Sequence, residues 1–515
     1  GVRFAGYSSN GLNKFIGNTA MYWNSTEKNP GVATFVSVAG LDVVNTGGAV
    51  MYKSFACPIR CVAEASGTEL PDAAIDLSAQ GTANCYVVNQ PATTYKFKAT
   101  VKGNGVSPVG ESTTIRPAKA RILWGQQRII APDTGWPEND GSDATLSKSI
   151  DYASVTLKGG YVYFTTAAEM EDGNIFIAVT DESDKILWTW HMWCVSGWDP
   201  DATEQSVTTK DINSVMMDRN LGAFSNPAAT DSPSYQDYVS ARGLYYQWGR
   251  KDPFPGYRSM AGYNSYVSWS EADGTIKSSI VWYVDNNGKS AWNEAFCKEN
   301  DSEGLNFSTL DQTLAYIAAN PMVFIANGKT SSNWVAGAVA PAAGTESDWG
   351  KLWGNQGNVE VGAKTIYDPC PAGYMVPSTN QLKFVTSHND NIGKTYSQTD
   401  SWKLNCKETI WNAAGVNVGH GESEDGKDVN PFYNAPYGLN FYIHGVKSPL
   451  AEGDTGYDAT AKNNVGKAPA DATVSYFPAQ GWIYYTGSVF GINSYKKCAQ
   501  VLIHSASPSS WSAYG

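Results

Sequence analysis

Residues 186–193 read ILWTWHMW, and residues 175–179 shortly before them read IFIAV. β-Branched and aromatic side chains of this kind favour strands. The intervening residues 180–185 (TDESDK) are polar and favour a turn. These two segments therefore predict neighbouring strands in a β-rich region.

Five shorter segments upstream of residue 165 extend this region. They are residues 84–89 (NCYVVN), 95–101 (YKFKATV), 121–124 (RILW), 153–157 (ASVTL) and 161–164 (YVYF). Turn residues such as 158–160 (KGG) and 171–173 (EDG) separate the strands. Seven short strands at this spacing predict an antiparallel, immunoglobulin-like β-sandwich over residues 67–204, with a linker near 66–71 and a loop at 131–143. We expect fewer than about one residue in five of it to be helical.

The composition narrows the class of protein. The chain has 515 residues with 37 Lys and Arg against 49 Asp and Glu, which gives a net charge of −12. An acidic chain without basic runs argues against nucleic acid as a partner. No apolar run approaches the roughly 18 residues that would span a bilayer. With 50 Gly, 29 Tyr and 18 Trp, the composition is typical of a secreted or cell-surface β protein, so we expect an extracellular location.

The cysteines do not define a disulfide map. The chain has eight, and eight cysteines allow 105 connectivities. Cys57 and Cys61 have no second Cys/His pair at zinc-ligand spacing. We expect one or two disulfides and several buried thiols.

The composition and the spacing of predicted strands change near residue 205. Long loops rich in Gly, Asn, Ser and Asp separate short aromatic strands. Residues 308–319 (STLDQTLAYIAA) and 380–387 (NQLKFVTS) predict helices. Thr309 or Ser308 is positioned to cap the first of these, with Asp311 near its N-terminus.

Three long phrases follow in this part of the chain. They are residues 217–223 (MDRNLGA), 243–254 (GLYYQWGRKDPF) and 367–377 (YDPCPAGYMVP). Their order and wording resemble the FISUMP-type (Fibrobacter succinogenes major paralogous) domain of Bacteroidota cell-surface proteins. The resemblance implies that residues 205–515 form a C-type-lectin-like or formylglycine-generating-enzyme-like α+β module, with less than about a third helix. Residues 76–105 are similar to a segment that precedes this module in fimbrial-tip proteins.

The polar residues of these phrases are interpreted as structural. Asp218 and Arg219 predict an ion pair, Asn220 a hydrogen bond within a turn, and residues 250–252 (RKD) a similar arrangement. Such groups fix loop geometry, because an unpaired buried polar group costs about 1–3 kcal/mol. Trp248 is expected in the core with its neighbouring tyrosines, Tyr245 and Tyr246. The family-motif residues are Asp218, Arg219, Asn220, Trp248, Arg250, Asp252 and Cys370.

The two ends of the chain carry related signals. The family module ordinarily closes with phrases like YWSST and PIRCV, and residues 21–26 (MYWNST) and 57–62 (CPIRCV) match them at the opposite end of this chain. The resemblance implies that residues 1–66 are the closing strands of one module, that 205–515 lacks those strands, and that the chain is a window of a tandem array. We hypothesise that residues 1–64 complete the 205–515 module, within one chain or between chains in a filament, with Cys61 near Cys370. The alternatives are a coincidental Trp-Ser pair and an ordinary N-terminal domain.

No catalytic motif is recognisable. None of the five histidines lies in an HExxH motif or near a Gly-x-Ser-x-Gly elbow, and no phosphate-binding glycine loop follows a strand. His191 is interpreted as a core histidine. A lectin-like neighbour of the family includes a copper oxidase with paired cysteines, for which Cys370 and Cys406 are the available positions. We therefore expect no enzyme, and a glycan-processing or oxidising activity is the minor alternative.

Two loops rich in side-chain oxygen atoms make calcium a candidate structural cofactor. The first contains Glu422, Glu424, Asp425 and Asp428, and the second is residues 389–391 (NDN). Calcium takes six to eight oxygen ligands from such loops, but neither has EF-hand spacing. Solvated acidic loops are the favoured interpretation, and no residue is assigned to a metal or to another cofactor.

These features predict a surface adhesion module, or a fibre- or pilus-associated one, that binds a glycan or a host protein through long loops. The alternative is a structural spacer repeat that self-associates head to tail by strand complementation.

Overall fold

The computed structural model describes residues 74–127, 149–208, 213–227, 240–254, 309–326, 351–354, 362–378 and 380–382, together with the strand residues outside these ranges. Within the described residues the protein is mainly β, as the sequence predicts. The strands are β1 (Thr19–Asn29), β2 (Val32–Ala39), β3 (Val43–Asn45), β4 (Val50–Tyr52), β5 (Ala56–Cys57), β6 (Val62–Ala63), β7 (Ile75–Asp76), β8 (Cys85–Val88), β9 (Thr94–Lys98), β10 (Lys119–Gln127), β11 (Ile150–Lys158), β12 (Tyr161–Thr166), β13 (Gly173–Thr180), β14 (Ile186–Cys194), β15 (Gln205–Thr208), β16 (Asn213–Met216), β17 (Tyr246–Gln247), β18 (Trp282–Val284), β19 (Ser290–Trp292), β20 (Cys297–Glu299), β21 (Phe324–Ala326), β22 (Tyr374–Met375), β23 (Gly438–His444), β24 (Thr473–Pro478), β25 (Trp482–Tyr485) and β26 (Phe490–Asn493).

Helix α1 (Leu310–Ala319) confirms the first predicted helix. The Thr309 hydroxyl accepts a hydrogen bond from the Gln312 backbone N–H at 3.3 Å, which satisfies one of the free donors at the helix start. The helix contacts β14. Of the second predicted helix, the described part is a 3₁₀ turn at Asn380–Leu382, and the remainder lies outside the described residues.

All seven strands predicted between residues 84 and 193 are present as β8 to β14. They form two four-stranded sheets with β7, in the orders β10-β13-β14-β8 and β11-β12-β9-β7. Side chains from the two sheets meet in one core, where the ring centroids of Phe97 and Trp190 are 5.1 Å apart and those of Tyr86 and Phe97 are 5.4 Å apart. The sheets therefore pack face to face.

The prediction of a purely antiparallel sandwich is wrong in two places. β8 runs parallel to β14, and β7 runs parallel to β9. The chain passes from β7 in one sheet to β8 in the other and back to β9 in the first. The chain reverses its direction at each crossing between the sheets. After two crossings β9 therefore runs in the same direction as β7, and the two strands pair in parallel.

The sheet β11-β12-β9-β7, called the open sheet below, has one buried and one solvated face. Along β12, buried and half-buried side chains alternate strictly, and in β9 the flanking Thr94 and Lys98 are exposed. This period of two is what a sheet with a single covered face produces.

The sheet β10-β13-β14-β8, called the covered sheet below, is buried on both faces along its central strands. Every residue of β13 is buried, and so is every residue of β14 from Trp188 onward. Because neighbouring side chains of a strand point to opposite faces, a second layer must cover this sheet on the side away from the open sheet. In the part of the chain that the structure describes, that layer contains the three motif phrases and α1.

Strands from the N-terminal part of the chain pair with strands of the 205–515 region. β5 lies between β17 and β25, antiparallel to both, and β6 lies between β16 and β22 in the same way. In β6, Val62 is opposite both Met216 and Met375. This within-chain pairing is one of the two arrangements that the complementation hypothesis allows.

Several sequence predictions fall outside the described residues. They concern the linker at 66–71, the loop at 131–143, Cys61, Cys406 and both candidate calcium loops. Cys370 forms a disulfide, and its partner is not among the cysteines whose side chains are described, which are the buried free thiols Cys85 and Cys194. Among the helices described, none is long and apolar enough to cross a membrane.

Candidate functional site

The three motif phrases meet at the outer face of the covered sheet. Alternation along β14 directs Thr189, His191 and Trp193 to that face. The Trp193 indole N–H donates to the Ala223 carbonyl at 2.9 Å, and the Asn174 amide donates to the Gly222 carbonyl at 2.9 Å. Both carbonyls belong to the first phrase, so that phrase is fixed to β13 and β14 by hydrogen bonds.

Asp218 and Arg219 form the ion pair that the sequence predicts. The Arg219 Nε and Nη2 atoms each lie 2.8 Å from one carboxylate oxygen of Asp218, and Nη1 donates to the Phe224 carbonyl at 2.9 Å. The guanidinium also stacks 4.1 Å above the ring of Trp198. Asn220 is fully buried, and its carbonyl accepts the Ala223 N–H at 2.9 Å, which closes the turn of this phrase.

In the second phrase, Asp252 pairs with Lys251. The Lys251 ammonium lies 2.6 Å from the Asp252 carboxylate and 4.3 Å above the ring of Trp188. The Thr189 hydroxyl connects the two, because it accepts from Lys251 and donates to Asp252. Burial lowers the pKa of Lys251 to about 8, and the adjacent Asp252 carboxylate opposes that shift.

Lys251 and Asp252 form the ion pair predicted for the triplet 250–252, and Arg250 contacts backbone carbonyls in the described structure. Its guanidinium is fully buried and donates to the carbonyls of Val323 at 2.6 Å and Pro321 at 2.7 Å, just beyond the C-terminus of α1. Gln247 Oε1 accepts a further bond at 2.9 Å. A cation in this position satisfies carbonyls and suits the negative end of the helix dipole. Burial lowers the pKa of Arg250 to about 10.

The aromatic residues Tyr245, Tyr246 and Trp248 of the second phrase lie in the core. Trp248 is fully buried, with its ring centroid 5.5 Å from that of Trp353. The Trp353 indole N–H donates to the Arg250 carbonyl at 3.3 Å. Tyr245 and Tyr246 are likewise fully buried, which agrees with the core placement expected for all three.

The third phrase is organised around Asp368, which is fully buried. One carboxylate oxygen accepts from the Lys364 ammonium at 2.7 Å and from the Cys370 N–H at 2.8 Å, and the other accepts from the Val376 N–H at 2.8 Å. The ammonium also donates to the carbonyls of Cys370 and Tyr374. A carboxylate with three donors and an ammonium with three acceptors hold this loop, including the disulfide-bonded Cys370, in one geometry.

Asn84 attaches the third phrase to the covered sheet. Its amide nitrogen donates to the carbonyls of Ile366 at 2.6 Å and Asp368 at 2.8 Å, and its oxygen accepts from the Trp188 indole at 2.8 Å. A close backbone contact lies beside it. Gly103 has φ +45, and a Cβ there would lie 2.6 Å from the Ile366 Cα atom, so a side chain does not fit.

The sequence interpretation missed the strand residues that hold the phrases. They are Asn84, Asn174 and Thr189, all buried polar residues of the covered sheet or its edge. The available signal was a short polar residue inside an otherwise apolar strand, because such a group requires a partner when it is buried.

Cys85, His191 and Asn174 form a hydrogen-bonded chain. The Cys85 sulfur lies 3.3 Å from His191 Nδ1, and His191 Nε2 lies 2.8 Å from the Asn174 side-chain oxygen. That oxygen is only an acceptor, as its amide nitrogen donates to Gly222, so Nε2 carries the proton and Nδ1 accepts from the thiol.

A thiol, an imidazole and an amide in this order are also the groups of some cysteine hydrolases. Here Cys85 has no exposed surface and His191 is 4% exposed. Burial raises the pKa of the Cys85 thiol and lowers that of His191 to about 3, so both groups are neutral. A reactive cysteine needs a thiolate that a substrate can reach, and this chain of bonds therefore serves the packing of three strands.

No group of three or more His, Cys, Asp or Glu residues with metal-binding geometry occurs in the described part of the chain. We call the contact between the three motif phrases and the outer face of the covered sheet the junction. The buried charges described there form ion pairs and hydrogen bonds to backbone carbonyls. The arrangement fixes the three phrases to the covered sheet.

Comparisons with known proteins give no relative for this chain: no family model, curated protein or solved structure matches it.

Proposed function

We propose that the protein is an extracellular adhesion or fibre-associated module of the FISUMP type, in which an N-terminal strand segment completes a C-terminal module. Residues 67–204 would be an immunoglobulin-like sandwich and 205–515 a lectin-like α+β module. The ligand would be a glycan or a protein, and head-to-tail association of copies would build a fibre.

The observation that carries the proposal is the position of β5 and β6. Each is a strand of two residues lying between two other strands, with both neighbours at least about 150 residues away along the chain. A central strand supplies hydrogen bonds on both edges, so the 205–515 region depends on a distant segment to complete its sheets. A segment with this role can in principle come from the same chain or from a neighbouring copy.

The junction supports a rigid module. The three phrases that carry the family resemblance use their polar residues to attach loops to the covered sheet, as with Asp368 and Asn84. Loops held on a rigid scaffold are common positions for binding functions.

Selective cleavage tests the strand segment in the complete protein. A protease site is inserted between Ala63 and Ala74, the chain is cut, and the products are separated by size under reducing conditions. Reduction excludes retention through the Cys370 disulfide. We expect the fragment of about 60 residues to remain bound to the rest.

Proline substitutions provide the matched comparison. Val62→Pro removes a backbone donor from the central strand β6, so the cleaved fragment should be released. The control is Ile75→Pro, at the first residue of the edge strand β7. Proline is tolerated at this position, so the cleaved fragment should stay bound. Immediate loss of the fragment from the wild-type protein would remove the support for complementation.

Two further measurements test the surface location and separate adhesion from the spacer alternative. Antibody labelling of intact producing cells tests the surface location, and a protein buried inside the cell would contradict it. A glycan array then distinguishes an adhesin, which binds a defined set of glycans, from a spacer repeat, which binds none but still assembles through its strands.

A further inference from the structure

The solvated face of the open sheet combines aromatic rings with lysines. Residues directly opposite each other in a ladder point to the same face. Lys158, Tyr161 and Lys98 form one such row across β11, β12 and β9. The next row consists of Thr156, Tyr163 and Lys96.

The side chains in these rows are available to solvent to different degrees. Lys98 and Lys158 are exposed, and Tyr161 and Tyr163 are half-buried. Lys96 is buried, and its ammonium lies 5.4 Å from the ring centroid of Tyr161 and 5.9 Å from that of Tyr163. One cation therefore lies between the two rings, and two further cations flank the first ring.

The charge of this face differs from the charge of the whole chain. Three lysines lie in two adjacent rows of a protein with a net charge of −12. Among the described residues, the carboxylates on the same face are Asp76, opposite Lys96, and Asp151, opposite Thr165. Asp76 already accepts the Ser78 N–H at 2.9 Å and the Ser78 hydroxyl at 2.6 Å, and Asp151 lies towards the far end of the sheet.

We infer that this face, formed by Lys96, Lys98, Lys158, Tyr161 and Tyr163, binds an acidic polysaccharide. The sugar rings lie against the tyrosine rings while carboxylate or sulfate groups pair with the flanking ammonium groups. Thr156 adds a hydroxyl within the second row, which suits a polyhydroxylated ligand. The inference rests on the proposed adhesion function and names a ligand class for it, at a site on the sandwich rather than in the loops.

Binding of polygalacturonate, dextran sulfate and neutral dextran to the full chain tests the inference by calorimetry. We expect the wild-type protein to bind one or both acidic polymers, and neutral dextran at least about tenfold more weakly. The acidic polymers separate recognition of carboxylates from recognition of sulfates, and either supports the site. Affinity should fall as salt rises from low to physiological levels, because the contacts are ionic.

Two double variants locate the site. Tyr161→Ala with Tyr163→Ala removes both rings, and Lys98→Glu with Lys158→Glu reverses the two exposed charges; each should weaken binding by at least about tenfold. The matched control reverses two exposed lysines next to the covered sheet, Lys119→Glu with Lys185→Glu, and should bind within about twofold of wild type.

The outcomes decide between the possibilities. Wild-type protein that binds neither acidic polymer, or binds neutral dextran equally, overturns the inference. Binding that survives the tyrosine substitutions, or that falls equally in the control, also overturns it. The fragment-retention assay is independent of all four results, so a failed site and a failed proposed function can be told apart.

Discussion

The two sheets of the sandwich have the same number of strands but differ in what lies outside them. The outer face of the open sheet carries tyrosine, lysine and threonine, and along β12 half-buried residues alternate with buried ones. The outer face of the covered sheet carries Thr189, His191 and Trp193 beneath the motif phrases, and its central strands are buried along β13 and along β14 from Trp188 onward. The difference teaches that a continuous apolar run such as that of β14 indicates a second covering layer.

The comparison predicts unequal costs for aromatic truncation on the two outer faces. Trp193→Ala leaves a cavity and an unpaired Ala223 carbonyl, so it should lower the free energy of unfolding by about 3–5 kcal/mol. Tyr163→Ala on the open sheet removes a half-buried ring and should cost less than about 1.5 kcal/mol. Urea unfolding of both variants measures the difference, and equal costs would contradict the assignment of covered and open faces.

The ion pairs of the junction should behave like buried ones. Asp368→Ala leaves the Lys364 ammonium buried without its counter-ion and should cost about 3–5 kcal/mol in the same assay. The exposed pair Lys119–Asp184 provides the matched control, and Asp184→Ala should leave the unfolding midpoint close to that of wild type. A small effect of Asp368→Ala would mean that the third phrase is not fixed as described.

Acid should lower the free energy of unfolding through His191, which lies in the covered sheet. Its pKa in the folded protein is lowered to about 3 from an ordinary value of 6.5, because burial disfavours the charged ring. The unfolded chain therefore binds a proton that the folded chain does not between these values. The contribution of this residue to stability is complete above pH 6.5 and decreases by up to about 1.4 kcal/mol per pH unit as the pH falls towards 3.

The variant His191→Gln isolates this contribution, since glutamine retains a donor and an acceptor but does not titrate. Its free energy of unfolding should fall less steeply than that of wild type between pH 6.5 and pH 3. Parallel curves for the two proteins would show that His191 does not lie in the buried, neutral state.

Local patterns sufficed to predict the strands and the first helix. Each of β8 to β14 has β-branched or aromatic residues between turn signals, and the start of α1 carries its own cap at Thr309. The ion pair of Asp218 and Arg219 was also predictable from the sequence, because the two residues are adjacent in it.

Long-range partners were not predictable in the same way. The two parallel strand pairs depend on which sheet each strand joins, a property of the whole domain rather than of a segment. The sequence predicted an ion pair within residues 250–252 but not the partners of Arg250, because the carbonyls that it contacts lie about 70 residues further along the chain. A backbone carbonyl occurs at every residue, so composition gives no signal for such a partner.

The reactivity of the Cys85 thiol tests the covering layer most directly. Cys85 is opposite His191 on the outer face of the covered sheet and has no exposed surface. Thr165→Cys places a reference thiol on the outer face of the open sheet, and labelling of each site is followed by peptide mass spectrometry under native conditions. We predict that the thiol at position 165 reacts rapidly while Cys85 reacts only when the protein unfolds. Rapid labelling of Cys85 in the folded protein would contradict the account.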